Sequence, residues 1–306
     1  MLKLKYKNKF KELDYSSSFL LSISPIINFI NIKTFIIMYK FIFFAYTKNM
    51  ENILEKNNKN NLIFNFWNIS LFFIVYSFAG YLLETTFGLF TKGVLESRQS
   101  FLFGPFCAIY GVGAILMVVL LSRFKNKPIL LFFSSCIVGT IAEYSMSYFC
   151  EKIYHFKWWD YSDYFLNING RVCLFFTLLW GILGILLIRH INPYLMKKIR
   201  QFRSSIGEIP YKTILIGFIL FIAFDAMLTS YALQSFYSKI AVDFDLDLDS
   251  SNYPTVSYVD SPLFSPKSMV MTYPNMQIAG TKYDGTYIDY LYDDHPTYYV
   301  KIFGKK

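Results

Sequence analysis

Three acidic residues, Glu84, Glu143 and Asp225, are each the single charged residue within a long apolar stretch of this sequence. A carboxylate in lipid is costly unless it faces the protein interior and has a partner, so such an acid marks a functional position by default. These acids could form a polar site, open towards the outer face, that binds an ion or a polar headgroup. Alternatively, they could form structural ion pairs that fix the register of the helices.

Two arginines are candidate partners for the glutamates. Arg98 and Arg171 each lie in the connection that follows one of the two glutamate-containing stretches. A guanidinium group donates charge-assisted, bidentate hydrogen bonds to a carboxylate. We therefore expect Arg98 and Arg171 to neutralise Glu84 and Glu143.

The second of these connections also contains a cluster of aromatic residues around an acid. Trp158, Trp159 and Tyr161 are amphipathic rings of the kind found at membrane interfaces. Asp160 lies among them, and it could pair with either arginine and hold the connection as a lid over the glutamates. An ordinary aromatic belt is the simpler alternative.

The glutamates belong to an internal repeat. Gly80 precedes Glu84 by four positions and Gly139 precedes Glu143 by four, so each glycine and its acid share one helix face. Each glutamate-containing stretch is followed, after an arginine, by an aromatic residue with closely spaced glycines. The pattern predicts a duplicated helical hairpin whose two copies run in the same direction, as in parallel repeats.

The glycines of this repeat predict where its helices touch. The aromatic-glycine blocks read Tyr110-Gly-Val-Gly113 and Trp180-Gly-Ile-Leu-Gly184. Helices in lipid associate where small residues allow the backbones to approach closely. The expected packing positions are Gly80, Gly139, Gly111 and Gly184.

Five apolar stretches are long enough to carry these residues across a membrane. About 20 mostly apolar residues are needed to cross about 30 Å of hydrocarbon, and isolated strands would leave backbone groups unpaired there. We expect an all-α protein, a polytopic transmembrane helix bundle of about five spans built around the duplicated hairpin, with a polar C-terminal tail. The five stretches are 67–90, 103–122, 128–150, 172–188 and 213–233.

Charge in the short loops gives one consistent orientation. Lysines and arginines collect in the loop at 123–127 and in the region 189–212, which belong on the cytoplasmic side. The same bias accounts for the formal net charge of +9, so nucleic-acid binding is not expected. We predict a multi-pass protein of a cell membrane, the bacterial plasma membrane, with its N-terminus inside.

The two ends differ from the central domain at 67–233. Residues 1–66 are predicted to form a cytoplasmic or interfacial segment. Residues 234–306 are predicted to form an acidic extracytoplasmic tail or small domain. Asp alternates with other residues in 242–249, which favours a solvated strand or a flexible linker over a calcium loop, because the glycine and glutamate of an EF-hand are missing. No metal site is expected. A disulfide between Cys150 and Cys173 is possible but not favoured.

These residues carry a family resemblance. The stretch 76–193 resembles the putative ABC-transporter type IV family of permease-like membrane proteins. Ser97, Ser100 and Ala108 depart from the family pattern. The matching blocks are Gly80 to Glu84, Ser97-Arg-Gln-Ser-Phe-Leu-Phe-Gly-Pro105, Ile109-Tyr-Gly111, Glu143-Tyr144 with Ser147, Trp158-Trp-Asp-Tyr-Ser162 and Asn167-Ile-Asn-Gly-Arg171.

The resemblance implies a permease-like protein, the membrane subunit of an ABC-type transport system. The sequence has no phosphate-binding Gly-x-x-x-x-Gly-Lys-Ser/Thr loop, so a separate ATPase subunit would hydrolyse ATP. Five spans are few for a full pathway, so we expect a homo- or hetero-oligomer among membrane lipids. The alternative is a non-transporting scaffold or sensor that binds a partner through its tail. We do not expect an enzyme or a cofactor, because no nucleophile elbow or metal-binding motif occurs.

Overall fold

The computed structural model describes residues 65–243, 245–248 and 253–279, together with the backbone of 300–301. All of them belong to one compact unit, 59–306. Most of the N-terminal segment predicted to be cytoplasmic or interfacial lies outside the described residues.

The first hairpin is formed by α1 (Phe66–Lys92) and α2 (Ala108–Leu121). The side chain of Asn65 caps the start of α1 by accepting a hydrogen bond from the backbone N–H of Trp67. Gly93 ends the helix in the left-handed conformation, where a residue without a Cβ is favoured. A short β1 (Val94–Leu95) follows, and a 3₁₀ turn (Ser122–Phe124) closes α2.

The second hairpin is formed by α3 (Pro128–Tyr154) and α4 (Leu174–Leu186). Pro128 occupies the first helical turn, where its missing N–H would have no partner in any case. His155 ends α3 with a left-handed backbone, and β2 (Phe156–Lys157) follows. The connection between α3 and α4 therefore carries the aromatic cluster identified in the sequence.

Two long helical segments complete the bundle. A π-helical turn (Leu187–Ile191) joins α4 to α5 (Asn192–Ile206), so that 33 residues run as one segment, Leu174–Ile206. Next, α6 (Glu208–Asp243) contains 36 residues. At 1.5 Å per residue these segments are about 50 Å long or more, so both exceed the hydrocarbon thickness of a bilayer.

The predicted fold class is confirmed. In the described part of the chain, four helical segments are long and apolar enough to cross a membrane: Phe66–Thr91, Pro128–Tyr154, Leu174–Ile206 and Glu208–Asp243. The remaining expected span, 103–122, corresponds to a shorter apolar helix, Ala108–Phe124. The strands are only two residues long, and they pair as β1 with β4 (Val300–Lys301) and β2 with β3 (Gln277–Ile278).

The buried apolar residues form two cores. The larger lies between the two hairpins, α5 and the start of α6. The smaller surrounds the last turns of α6, where residues 264–278, including α7 (Pro266–Thr272), pack against Phe156 of β2 and against Phe236 and Ile240. The described residues 253–279 thus cover the end of α6 that extends beyond the bundle.

The structure describes part of the acidic stretch 242–249 and the region around the boundary expected at residue 234. In the described part of the acidic stretch 242–249, Val242 and Asp243 continue α6 and Asp245 has a positive φ of 48°, so these residues do not form the strand that was one of the two expected alternatives. The boundary expected at residue 234 also falls inside α6, which hydrophobic packing against 264–278 extends beyond its apolar stretch. Cys150 and Cys173 are both free, so they form no disulfide.

Candidate functional site

Within each hairpin, the two helices pack against each other at a glycine, and these two glycines are equivalent in the repeat. A Cβ atom on Gly80 would lie 2.3 Å from the Cβ of Tyr110, and one on Gly139 would lie 2.4 Å from Cγ of Trp180. Contacts this short cannot be accommodated, so in each hairpin only glycine lets the aromatic ring of the second helix rest on the first helix.

A second pair of contacts follows the same repeat. Gly111 faces Phe73 and Ser77, whereas Gly181 faces residues at equivalent positions of α3, Phe132 and Cys136. The spacing between equivalent residues is 59 positions for Phe73 and Phe132, for Ser77 and Cys136, and for Gly80 and Gly139. The duplicated hairpin predicted from the sequence is therefore a repeat of side-chain contacts as well as of helices.

Gly184 makes a further close contact in the second hairpin. A Cβ on Gly184 would lie 2.1 Å from Oγ of Ser135 and 3.3 Å from Sδ of Met117 in α2. The glycine thus brings α4 against α3 and leaves room for a side chain of the first hairpin. All four glycines expected to pack helices lie at such contacts.

Each glutamate accepts a hydrogen bond from the aromatic residue of its own hairpin. The Tyr110 hydroxyl donates to Oε1 of Glu84 over 2.5 Å, and Nε1 of Trp180 donates to Oε2 of Glu143 over 3.0 Å. The two rings lie next to each other, with centroids 5.5 Å apart. Glu84 is half-buried, and the side chain of Glu143 is only 6% exposed. The glutamates therefore approach one aromatic pair from two sides.

Tyr161 covers this pair from the connection between α3 and α4. Its hydroxyl donates to Oε1 of Glu143 over 3.1 Å, and its ring stacks on Phe176 of α4 at 4.6 Å. Burial raises the pKa of Tyr161, and the charges of Glu143 and Glu84 raise it further, so the phenol keeps its proton and acts as a donor. Tyr161, rather than Asp160, is therefore the residue through which this connection contacts a glutamate.

The arginines lie elsewhere than expected. Arg98 is 3.6 Å from the Glu96 carboxylate, and Arg171 is 2.8 Å from that of Glu151. Among the described residues, neither arginine lies within ion-pair distance of Glu84 or Glu143. The expected pairing is therefore not observed, because each arginine meets a nearer acid at the end of the hairpin where its two helices are connected.

The two arginines nevertheless occupy equivalent places. Arg98 packs against Gly88 of α1, where a Cβ would lie 3.1 Å from its Nη2. Arg171 donates from Nη1 to Oγ of Ser147, the residue of α3 that is equivalent to Gly88. Arg171 also lies over the rings of Tyr144 and Tyr148. The arginines thus fix the connections to the C-terminal parts of α1 and α3.

The remaining residues of the aromatic cluster have structural contacts. Asp160 is exposed and accepts hydrogen bonds from the backbone and the hydroxyl of Ser162, so it pairs with neither arginine. Nε1 of Trp159 donates to the carbonyl oxygen of Arg171. Trp158 packs edge-on against Phe156 and Tyr273 in the smaller core. These contacts hold the connection in the conformation that places Tyr161.

Asp225 lies apart from the glutamates. It is fully buried in α6 and accepts hydrogen bonds from the backbone N–H of Phe103 over 3.1 and 3.2 Å. Thr229, one turn further, accepts one from the backbone N–H of Leu102. Asp225, near the midpoint of α6, is therefore level with the connection between α1 and α2, and it attaches this connection to α6.

Sequence reasoning missed the donors to the glutamates. In the sequence, Tyr110 and Trp180 are markers of the repeat only, with no predicted contact to an acid. The spacing places each acid on the same helix face as Gly80 or Gly139, but it could not show that the aromatic side chain packed on that glycine donates a hydrogen bond to the acid. No group of three or more potential metal ligands occurs among the described residues.

Comparison with known proteins identifies one family. The sequence model of a family described as putative ABC-transporter type IV matches residues 71–230, slightly more than half of the 306 residues. No curated protein and no solved structure matches significantly. The matched range contains both hairpins except for the first residues of α1, both glutamates with their donors, and Asp225.

Proposed function

Because the chain belongs to the putative ABC-transporter type IV family, we propose that it is the permease-like membrane subunit of an ABC-type transport system whose ligand site contains Glu84 and Glu143. The four long apolar helices among its described residues make it a multi-pass membrane protein. The bacterial plasma membrane is the proposed location, with a separate ATPase subunit and an oligomeric assembly completing the transport system.

One observation carries the proposal of a ligand site. The partners of Glu84 and Glu143 are the neutral donors Tyr110, Trp180 and Tyr161, and no described lysine or arginine pairs with either acid. Two carboxylates in a low-dielectric bundle are stable only when a proton or a cation compensates their charge. The site therefore suits a positively charged ligand or protons.

The aromatic rings support the same ligand class. Tyr110 and Trp180 lie between the acids, and Tyr161 with Phe176 covers them. Aromatic faces attract cations, most strongly where water is excluded. A small monovalent cation, inorganic or organic, fits this combination of charge and rings better than an anion does.

Thermal unfolding of the purified protein tests the ligand site. The probes are Na⁺, K⁺, NH₄⁺ and tetramethylammonium, each as the chloride salt at equal ionic strength. A probe at 100 times its Kd stabilises the folded state by about 2.7 kcal/mol. At least one probe should raise the melting temperature of the wild type, and Glu84→Gln and Glu143→Gln should lose most of that rise.

Asp160→Asn is the matched control, because it also neutralises one acid of the same region but lies outside the site. It should respond to the probes as the wild type does. Equal responses of the wild type and both glutamate variants would contradict the proposed site. The transport role is tested separately by affinity purification from native membranes, and recovery of the protein without any nucleotide-binding partner would contradict it.

A scaffold or sensor is the second candidate, and the smaller core favours it. Residues 264–278 form a compact surface around the end of α6, beyond the bundle. In that case deletion of 245–306 would abolish function, whereas the glutamate substitutions would affect stability alone.

A further inference from the structure

Helix α5 has one face buried in the bundle and another that is strongly basic. Asn192, Met196 and Ile199 are at most 6% exposed and belong to the side that packs against the bundle. Three exposed cations follow one another on the remaining surface, Lys197, Lys198 and Arg200. The helix is therefore amphipathic, with its charge directed away from the protein.

The length of the segment places α5 at an edge of the membrane. Leu174–Ile206 is about 50 Å long, whereas the hydrocarbon is about 30 Å thick. The apolar α4 and the π-helical turn together span most of the hydrocarbon thickness. The cations of α5 thus lie at the depth of the lipid headgroups, on the side where the loop 123–127 also carries positive charge.

The cations of α5 are not compensated within the described protein. Lys197, Lys198 and Arg200 form no ion pair with a described residue, whereas Arg203 at the end of the same helix pairs with Glu208. The loop cations Arg123, Lys125 and Lys127 likewise have no described acidic partner. An anionic partner could therefore bind to this face without breaking an ion pair between described residues.

Aromatic side chains on the same surface indicate which anionic partner fits. Tyr194 is 63% exposed and Phe202 is 48% exposed, and both lie four residues from Lys198 along one row of the helix. Nζ of Lys198 lies 5.5 Å from the Tyr194 ring. Exposed rings alternating with cations are typical of a helix at a lipid interface, where rings enter the acyl boundary and cations meet the headgroups.

We infer that α5 binds the phosphate headgroups of anionic phospholipids, and that this binding holds the segment Leu174–Ile206 at its depth in the membrane. The occupant is lipid rather than a soluble protein because the exposed rings would otherwise face water. This inference uses neither Glu84 nor Glu143, so it does not depend on the proposed ligand site.

Lipid titration of the full-length protein in detergent tests the inference. Native mass spectrometry counts bound phosphatidylglycerol against bound phosphatidylcholine. Each cation near an anionic surface contributes about fivefold to affinity, so Lys197→Gln/Arg200→Gln should weaken phosphatidylglycerol binding by at least about tenfold. The control Lys152→Gln/Lys267→Gln removes two exposed cations outside α5 and should bind as the wild type does. Equal binding by both double variants and the wild type would overturn the inference.

Hydrogen exchange on the unmodified protein provides a second test that needs no variant. In nanodiscs of phosphatidylglycerol, the amides of 192–206 should exchange more slowly than in nanodiscs of phosphatidylcholine, whereas 253–279 should exchange equally in both. Unchanged exchange in α5 would contradict lipid binding. Normal phosphatidylglycerol binding by the α5 variant, combined with lost binding of an ATPase subunit, would assign this face to the protein partner instead.

Discussion

Substitution of Gly139 by alanine probes the contact on which the second hairpin depends. The added Cβ would lie 2.4 Å from Cγ of Trp180, more than 1 Å closer than ordinary contact. Overpacking of this kind costs about 1–3 kcal/mol. Trp180 would also have to move away from Glu143, and loss of that donor by a buried carboxylate costs about 1–3 kcal/mol more.

The predicted loss for Gly139→Ala is therefore about 2–6 kcal/mol in the free energy of unfolding. Gly217→Ala is the matched control, because Gly217 lies in α6 with no atom within 4 Å of an added Cβ. Alanine there should be neutral or stabilising by up to about 1 kcal/mol. Thermal unfolding followed by tryptophan fluorescence compares the two variants, and Gly139→Ala as stable as Gly217→Ala would refute the packing argument.

Three further predictions concern the packing glycines of the repeat, the contact of Tyr161 with Glu143, and the contact of Asp225 with the connection between α1 and α2. A Cβ added at Gly181 would lie 2.6 Å from side-chain atoms of Phe132 and Cys136 in α3, so Gly181→Ala should also lower the melting temperature of the protein. A melting temperature equal to that of the wild type would contradict the packing repeat. Tyr161→Phe should cost about 1–3 kcal/mol because Glu143 loses one of its two donors, and chemical denaturation measures the change. Asp225→Ala should speed hydrogen exchange at the backbone amide of Phe103, and unchanged exchange would show that the carboxylate does not hold this connection.

Much of the architecture follows from the sequence because lipid allows few alternatives. Apolar stretches of about 20 residues must become helices in a bilayer. The glycines four residues before Glu84 and Glu143 then mark the faces where helices meet, and the structure has contacts at these positions. Periodicity and the cost of unpaired backbone groups are local properties, so one sequence is enough to recognise them.

The partners of the acids could not be predicted in the same way. Charge complementarity favoured Arg98 and Arg171, but geometry decides: Glu96 and Glu151 lie nearer to the arginines. Similarly, α6 extends past its apolar stretch because distant residues, 264–278, pack around its end. Long-range contacts of this kind depend on how the loops between helices run in three dimensions, and the composition of the sequence does not specify this.

A double-mutant cycle on the free energy of unfolding tests most directly whether neutral aromatic donors, rather than arginines, hold the buried glutamates. Glu143→Met is combined with Trp180→Phe in one cycle and with Arg171→Gln in the other. We predict a coupling of about 1.5–3 kcal/mol between Glu143 and Trp180, as for hydrogen bonds to charged groups, and less than about 0.5 kcal/mol between Glu143 and Arg171. Strong coupling to Arg171 together with additivity for Trp180 would contradict the account.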